Sequence, residues 1–255
     1  MPHDPRVGRV LLVGAGPGAA DLLTVRAARA VGAAQALLYD ALVPQEILDL
    51  APANCLKIQT GKRAGRTSMA QATINRLMVR LARRGLDVVR LKGGDPSVFG
   101  RVGEEMAALQ AAGIEAQVIP GVTAAAAAAA QFGFPLTHRG QARRVLLTTA
   151  RLDQGGLAED WRAAADPEAT LAIYMGGASA GAIRDRLLVG GRSASTPVLA
   201  VENAGRAEAR LFTGVLGGLA EIVPGDLDGP VLIVVGEVAA QAVQTALPAL
   251  TELAS

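Results

Sequence analysis

Short apolar runs recur along the chain, each closed by glycine, proline or a charged residue. The runs at 10–13, 36–39, 88–91 and 116–119 are four residues long, a length that suits buried strands better than helices, and a further strand is expected at 56–60. Between them the apolar spacing changes to that of a helix. Asp21-Leu22-Leu23-Thr24 opens an alanine-rich helix to about residue 34, and 44–50 reads as a short one. Ile74, Leu77, Met78 and Leu81 share one face of a longer helix, for which Ser68 and Gln71 form a capping box. Residues 103–112 predict the next helix.

The second half repeats the alternation. Strands are expected at 145–149, 171–175, 198–202 and 231–235, with helices at 157–164, 180–189 and 215–222 and a short extra strand at 211–212. The alanine run 124–130 is a strong helix former with almost no side-chain bulk, as suits a helix packed closely on a neighbour or ligand. Residues 133–140 lack periodicity and read as a connector. The expected fold class is therefore α/β, with two consecutive α/β domains, 1–136 and 137–255, and an inter-domain cleft as the default ligand site.

Composition narrows the function classes. A chain of 255 residues, 51% hydrophobic, buries a substantial core, and a net charge of +2 without runs of like charge points away from nucleic acid. Aromatic residues at 3% give no base-stacking platform. Cys55 has no cysteine partner, and with only His3 and His138 beside it no zinc-type set exists, so no metal is expected. A reducing, cytoplasmic setting fits. The N-terminus lacks an apolar signal segment, and no apolar run reaches membrane-spanning length, so no membrane partner is expected either.

Candidate chemistry gathers at the strand ends. The run 88–91 stops at Gly93-Gly94-Asp95-Pro96, where glycine lets backbone approach a ligand and Asp95 offers acceptors at a strand's carboxyl end. Gly14, Gly16 and Ala19 also satisfy a dinucleotide fingerprint, with Asp40 ending the next strand where a ribose-binding acid belongs. A nicotinamide-dependent oxidoreductase is the competing reading. Pro17 and Gly18 in the variable positions, a separate cap at 21–24 and further glycine loops at Gly61, Gly93 and Gly121 oppose it.

Several motifs then fall in one order. The first glycine cluster, Gly14-Ala15-Gly16-Pro17-Gly18, is followed by Leu22-Leu23-Thr24, Tyr39-Asp40-Ala41-Leu42-Val43 and Gly61-Lys62-Arg63-Ala64-Gly65. Arg90-Leu91-Lys92-Gly93-Gly94-Asp95-Pro96, Val98-Phe99-Gly100-Arg101 and Gly103-Glu104-Glu105 come next, then Pro120-Gly121-Val122-Thr123 and Pro135-Leu136-Thr137-His138-Arg139-Gly140. Ile173-Tyr174-Met175-Gly176 and Val231-Leu232-Ile233-Val234-Val235-Gly236-Glu237 complete the set. In this order and over nearly the whole chain they resemble the tetrapyrrole methylase family, most closely the branch that methylates uroporphyrinogen III.

The resemblance implies a two-domain homodimer that binds S-adenosylmethionine and transfers two methyl groups to carbons of uroporphyrinogen III, giving precorrin-2 for sirohaem or cobalamin. A later corrin-ring methyltransferase is the alternative within the family. Carried over by motif, cofactor contacts fall on Pro17, Gly93, Gly94, Asp95, Val98, Thr123, Ala124, Met175 and Ala204. The family's proton acceptor and donor fall on Asp40 and Lys62. Arg101 joins these as a catalytic candidate, and Arg63, Glu104 and Arg139 match positions that face the tetrapyrrole. The chemistry is compatible, since a sulfonium donor needs mainly positioning, the attacked ring must shed a proton, and guanidinium groups bind the substrate's carboxylates in pairs. Each residue also has a plain alternative: Asp40 as a helix cap, Lys62 and Arg63 as solvated loop charges, Arg101 with Glu104 as an i, i+3 pair, Met175 as core. The chain departs from the family at Ala19-Ala20, Ser97, Val102, Ala124, Ala150 and Ala204.

Overall fold

The computed structural model describes residues 7–61, 69–150 and 166–243. The chain divides into two compact units, Met1–Thr123 and Ala124–Ser255, so the alanine-rich helix belongs to the second, whereas the sequence put the boundary at 136/137.

In the first unit five short strands, β1 (Val10–Gly14), β2 (Ala36–Tyr39), β3 (Leu56–Gln59), β4 (Val88–Lys92) and β5 (Ala116–Ile119), form a wholly parallel sheet in the order β3-β2-β4-β1-β5. Alternate side chains divide between two cores. Leu37, Val89 and Leu91 pack with Ala27 and Val31 of α1 (Val25–Gly32), Ile47 of α2 (Gln45–Leu48) and the buried Cys55. Val10, Leu12, Leu38 and Val88 pack on the opposite face with Ile74, Met78 and Leu81 of α3 (Gln71–Ala82) and Leu109 of α4 (Val102–Ala111). Helix α1 starts late. A 3-10 turn covers Ala20–Leu22, and Thr24 then caps α1 by accepting from the Ala27 amide at 3.1 Å. Of the expected capping box at α3, Ser68 lies outside the described residues; Ala70 occupies the N-cap with no side-chain bond.

The second unit opens with α5 (Ala124–Gln131). Its strands are β6 (Arg144–Thr149), β7 (Ala169–Tyr174), β8 (Pro197–Glu202), β9 (Arg210–Val215) and β10 (Val231–Val235), in the order β6-β7-β10-β8-β9. Only β6 and β7 run parallel; β10 lies antiparallel between β7 and β8, and β8 pairs antiparallel with β9. One sheet face packs on Ile183 and Leu187 of α6 (Ala180–Val189), the other on Ala125 and Ala128 of α5 and on Phe132. The helix expected at 215–222 is shorter than its pattern. Val215 still pairs with Pro197, and Gly214 with Val198, so the chain stays extended before a 3-10 turn at Leu216–Gly218 and a single turn, α7 (Leu219–Ile222). Strand pairing has overridden a weak helical pattern containing two glycines. The helix expected at 157–164 lies outside the described residues.

Candidate active site

All five parallel strands of the first unit end at the same edge, and three of their following loops are bound to one another. Gly94 donates to the Gly16 carbonyl at 2.7 Å and accepts from the Gly16 amide at 3.2 Å, while Ala15 donates to the Lys92 carbonyl at 2.7 Å. The loop after β5 closes on the same point. A Cβ on Gly121 would lie 2.4 Å from the Gly94 carbonyl oxygen, and one on Gly14 would lie 2.6 Å from Gly121 Cα. Gly14 and Gly121 are thus required by contact between backbones rather than by ligand approach. Gly94 differs, with φ of +69° and open space within 4 Å of a built Cβ. That opening leaves an uncovered stretch of backbone at the strand tips, of the kind a cofactor's polar edge would meet.

Asp95 locks this arrangement. Its Oδ2 accepts from the Gly121 amide at 2.9 Å, and its Oδ1 accepts from the Ser97 amide at 2.8 Å and from the Ser97 hydroxyl. Burial by itself would raise the carboxyl, but the Ser97 hydroxyl and the Gly121 and Ser97 amides more than offset it and hold Asp95 below the usual carboxylate value. A carboxylate offers about four acceptor positions, so Asp95 retains capacity for a ligand hydroxyl or ammonium.

Asp40 follows β2, beside this cluster. Its side chain is 31% exposed, and Oδ1 accepts from Arg90 Nη2 at 2.5 Å and from the Thr60 hydroxyl at 3.4 Å. Among the described residues no hydrogen bond falls on Oδ2. Behind it lies a buried charge network that sequence reasoning missed. Arg90 Nε donates to Glu105 Oε1 at 3.1 Å, Lys92 Nζ donates to the same oxygen at 3.0 Å and stands 2.9 Å from Oε2, and Gln71 Nε2 donates to Oε1 at 3.1 Å. Arg90, Lys92 and Glu105 are all nearly or fully buried. Burial pushes the Lys92 ammonium below its ordinary value, the Arg90 charge adds to this, and Glu105 and Asp40 offset part of it. The sequence carries only part of the signal: Arg90 and Lys92 are two apart on a strand, hence on one face, and a buried pair of cations requires an anion, but which acid of the covering helix supplies it is not marked.

The remaining expected residues are distributed as follows. Pro17 and Val98 lie half-buried at the strand-tip loops, where the Val98 amide donates to the Asp95 carbonyl at 3.1 Å. Arg101 takes a left-handed conformation (φ 57°) and forms a paired contact with Glu104, 2.7 and 2.8 Å, both side chains being more than half exposed. Thr123 ends the first unit. In the second unit, Ala124 begins α5 and packs on the same cluster as the buried Ala204. Exposed Met175 (φ 57°) follows Tyr174, whose hydroxyl accepts from the Ala125 amide at 3.3 Å, so Ala124, Met175 and Ala204 share one region. Gln131 of α5 holds the turn after Ala204, accepting from Gly205 N and donating to Arg206 O, both at 2.8 Å. Arg139 is exposed in a turn closed by His138 and Ala142. Lys62 and Arg63 lie outside the described residues. No group of three His, Cys, Asp or Glu side chains among the described residues is arranged to hold a metal, and no described helix is long and apolar enough to cross a membrane.

The sequence profile of the Tetrapyrrole (Corrin/Porphyrin) Methylases matches residues 9–220, which include every loop just described. The chain belongs to the tetrapyrrole methylase family. Within this family it is 46% identical over 231 residues to Siroheme synthase 1 of Yersinia enterocolitica, covering 91% of this chain and 49% of that protein. It is 48% identical over 231 residues to Siroheme synthase 1 of Serratia proteamaculans, covering 91% and 48%. The chain spans about half the length of the curated relatives it matches. Among solved structures it resembles the uroporphyrin-III C-methyl transferase of Thermus thermophilus complexed with S-adenyl homocysteine, with a TM-score of 0.78 and 41% identity over 91% of this chain and 93% of the other. A cobalt precorrin-4 methyltransferase gives a TM-score of 0.81 at 26% identity, covering 91% and 95%. The late start of α1 and the bonding of the Gly16, Gly94 and Gly121 loops to one another oppose the dinucleotide reading.

Proposed function

We propose that this protein is an S-adenosylmethionine-dependent C-methyltransferase that methylates uroporphyrinogen III twice to give precorrin-2, for sirohaem or cobalamin synthesis. The observation that carries this reading is the 41% identity, over almost the full length of both chains, to the Thermus uroporphyrin-III C-methyl transferase bound to S-adenyl homocysteine. The 26% identity to the precorrin-4 enzyme makes the later corrin-ring reaction the weaker reading.

S-adenosylmethionine, when bound, supplies an electrophilic methyl carbon that needs no metal for its activation. The chain's residues fit such a ligand: the open backbone at Gly94, with Gly93 beside it, and the spare acceptor capacity of Asp95 suit its polar groups. Pro17, Val98, Thr123, Ala124, Met175 and Ala204 are the other contacts of this proposal. Asp40 is placed as the base that takes the proton from the methylated ring carbon, through the oxygen that Arg90 does not occupy. Lys62 is the proposed proton donor. Arg101, Arg63 and Arg139 are assigned to substrate carboxylates, with Glu104 orienting Arg101. A homodimer in the cytoplasm completes the proposal.

The test is incubation with S-adenosylmethionine and enzymatically made uroporphyrinogen III. A doubly methylated product with an isobacteriochlorin spectrum after oxidation is expected; unmodified porphyrin in the presence of intact cofactor would overturn the reading. Light scattering of the purified protein tests the dimer.

A further inference from the structure

Glu105 has no role in the reaction as written, yet it is a fully buried charge. It projects from α4 onto the face of β4 that carries Arg90 and Lys92, and the groups facing it are those two cations and Gln71 of α3. Three donors therefore converge on one carboxylate.

The consequence concerns the guanidinium plane. A guanidinium presents five N–H donors in a rigid fork, so fixing it at several points leaves no freedom to rotate. Arg90 is held at Nε by Glu105 (3.1 Å) and at Nη1 by the Leu91 carbonyl (3.2 Å), and its remaining nitrogen, Nη2, meets Asp40 Oδ1 at 2.5 Å. The charges of Asp40, Arg90, Glu105 and Lys92 balance, two of each sign. With Glu105 removed, two buried cations would face the single carboxylate of Asp40, and nothing would hold Nε.

We propose that Glu105 is a positioning residue for methyl transfer, fixing the plane of Arg90 and through it the direction of the Asp40 carboxylate. The inference rests on the reading of Asp40 as the base. It assigns Lys92 the task of balancing the second half of the Glu105 charge.

The test compares wild type with Glu105→Leu, which removes the acceptor as well as the charge, and with the double variant Lys92→Met/Glu105→Leu, which loses one charge of each sign and keeps the interior balanced if the single variant does not fold. Three quantities are measured: kcat for methylation, KM for S-adenosylmethionine, and the Arg90–Asp40 separation in crystal structures. The expected result is a fall in kcat of about a hundredfold, the scale of a misplaced reacting group, with KM for the cofactor unchanged and Arg90 no longer bonded to Asp40. A double variant with wild-type kcat overturns the proposal, and so does a fall in kcat with the Arg90–Asp40 bond still in place. Absence of methyl transfer by the wild type refutes the functional reading instead. The crystal comparison then decides whether Glu105 orients Asp40: a broken bond upholds it and an intact one refutes it.

Discussion

Asp40 directs one oxygen at Arg90 and leaves the other without a partner among the described residues, which is the arrangement a carboxylate base requires. Asp40→Asn keeps the size of the side chain and removes the charge. Methylation should fall by about 10²–10⁴-fold, while binding of S-adenosylhomocysteine, followed by calorimetry, is retained; full activity in the variant would move the base elsewhere. Asp40 and Asp95 were legible in the sequence because each follows an apolar strand, the position where parallel sheets collect ligands. Arg90 and Glu105 were not, for a physical reason: Arg90 sits inside the run 88–91 and reads as part of a buried strand, and Glu105 is indistinguishable from its neighbour Glu104 until the helix face is known. The structure separates the two, Glu104 exposed with Arg101 and Glu105 buried with Arg90 and Lys92.

At the scale of elements, the glycine loops do two kinds of work. Gly121 and Gly14 allow three backbones to meet, so Gly121→Ala must displace the Gly94 carbonyl, 2.4 Å from the new methyl group. A loss of about 1–3 kcal/mol is expected from overpacking alone, read as a lower urea midpoint, together with weaker S-adenosylhomocysteine binding because the Gly94 loop has shifted. Retained stability would show that the loops separate at little cost. The strands of both units were visible as apolar runs, since length and breakers define them. Their order was not, because pairing depends on connections that leave no periodic mark: β10, last in sequence, inserts between β7 and β8. Residues 215–222 misled for a related reason, as only the pairing partner, Pro197 to Leu199, shows that 213–215 remain in a strand.

Across the whole molecule, acid stability follows from carboxylates held ionised. Glu202, in the second unit, accepts from Arg210 Nε at 2.7 Å and from the Gly229 amide at 2.8 Å. The Arg210 bond is the main cause of a Glu202 carboxyl below its ordinary value of 4.5; burial opposes it and the Gly229 amide assists. Asp95 is lowered in the first unit from an ordinary 3.8. Both folded-state values lie below the unfolded ones, so each contributes stability that is complete above the ordinary value and disappears as pH falls through the folded one. Urea midpoints should therefore fall on acidification below about pH 4.5, the ordinary carboxylate range, and Glu202→Gln should flatten that fall. An unchanged acid profile in this variant would assign the effect to other carboxylates.

Cys55 is the single thiol of the chain, and its burial, partly offset by Lys57, raises its pKa above the ordinary value. Its nucleophilic form is thereby suppressed in the folded protein. Ellman's reagent should react slowly in native buffer and rapidly in urea; rapid native reaction would show that the region around Cys55 opens readily. A cysteine introduced at a solvent-facing site such as Val189, 91% exposed on α6, would then be the sole fast-reacting position. The natural sequence already supplies a silent background for maleimide dyes or spin labels, so distances between chosen points can be followed during turnover without first deleting a native residue.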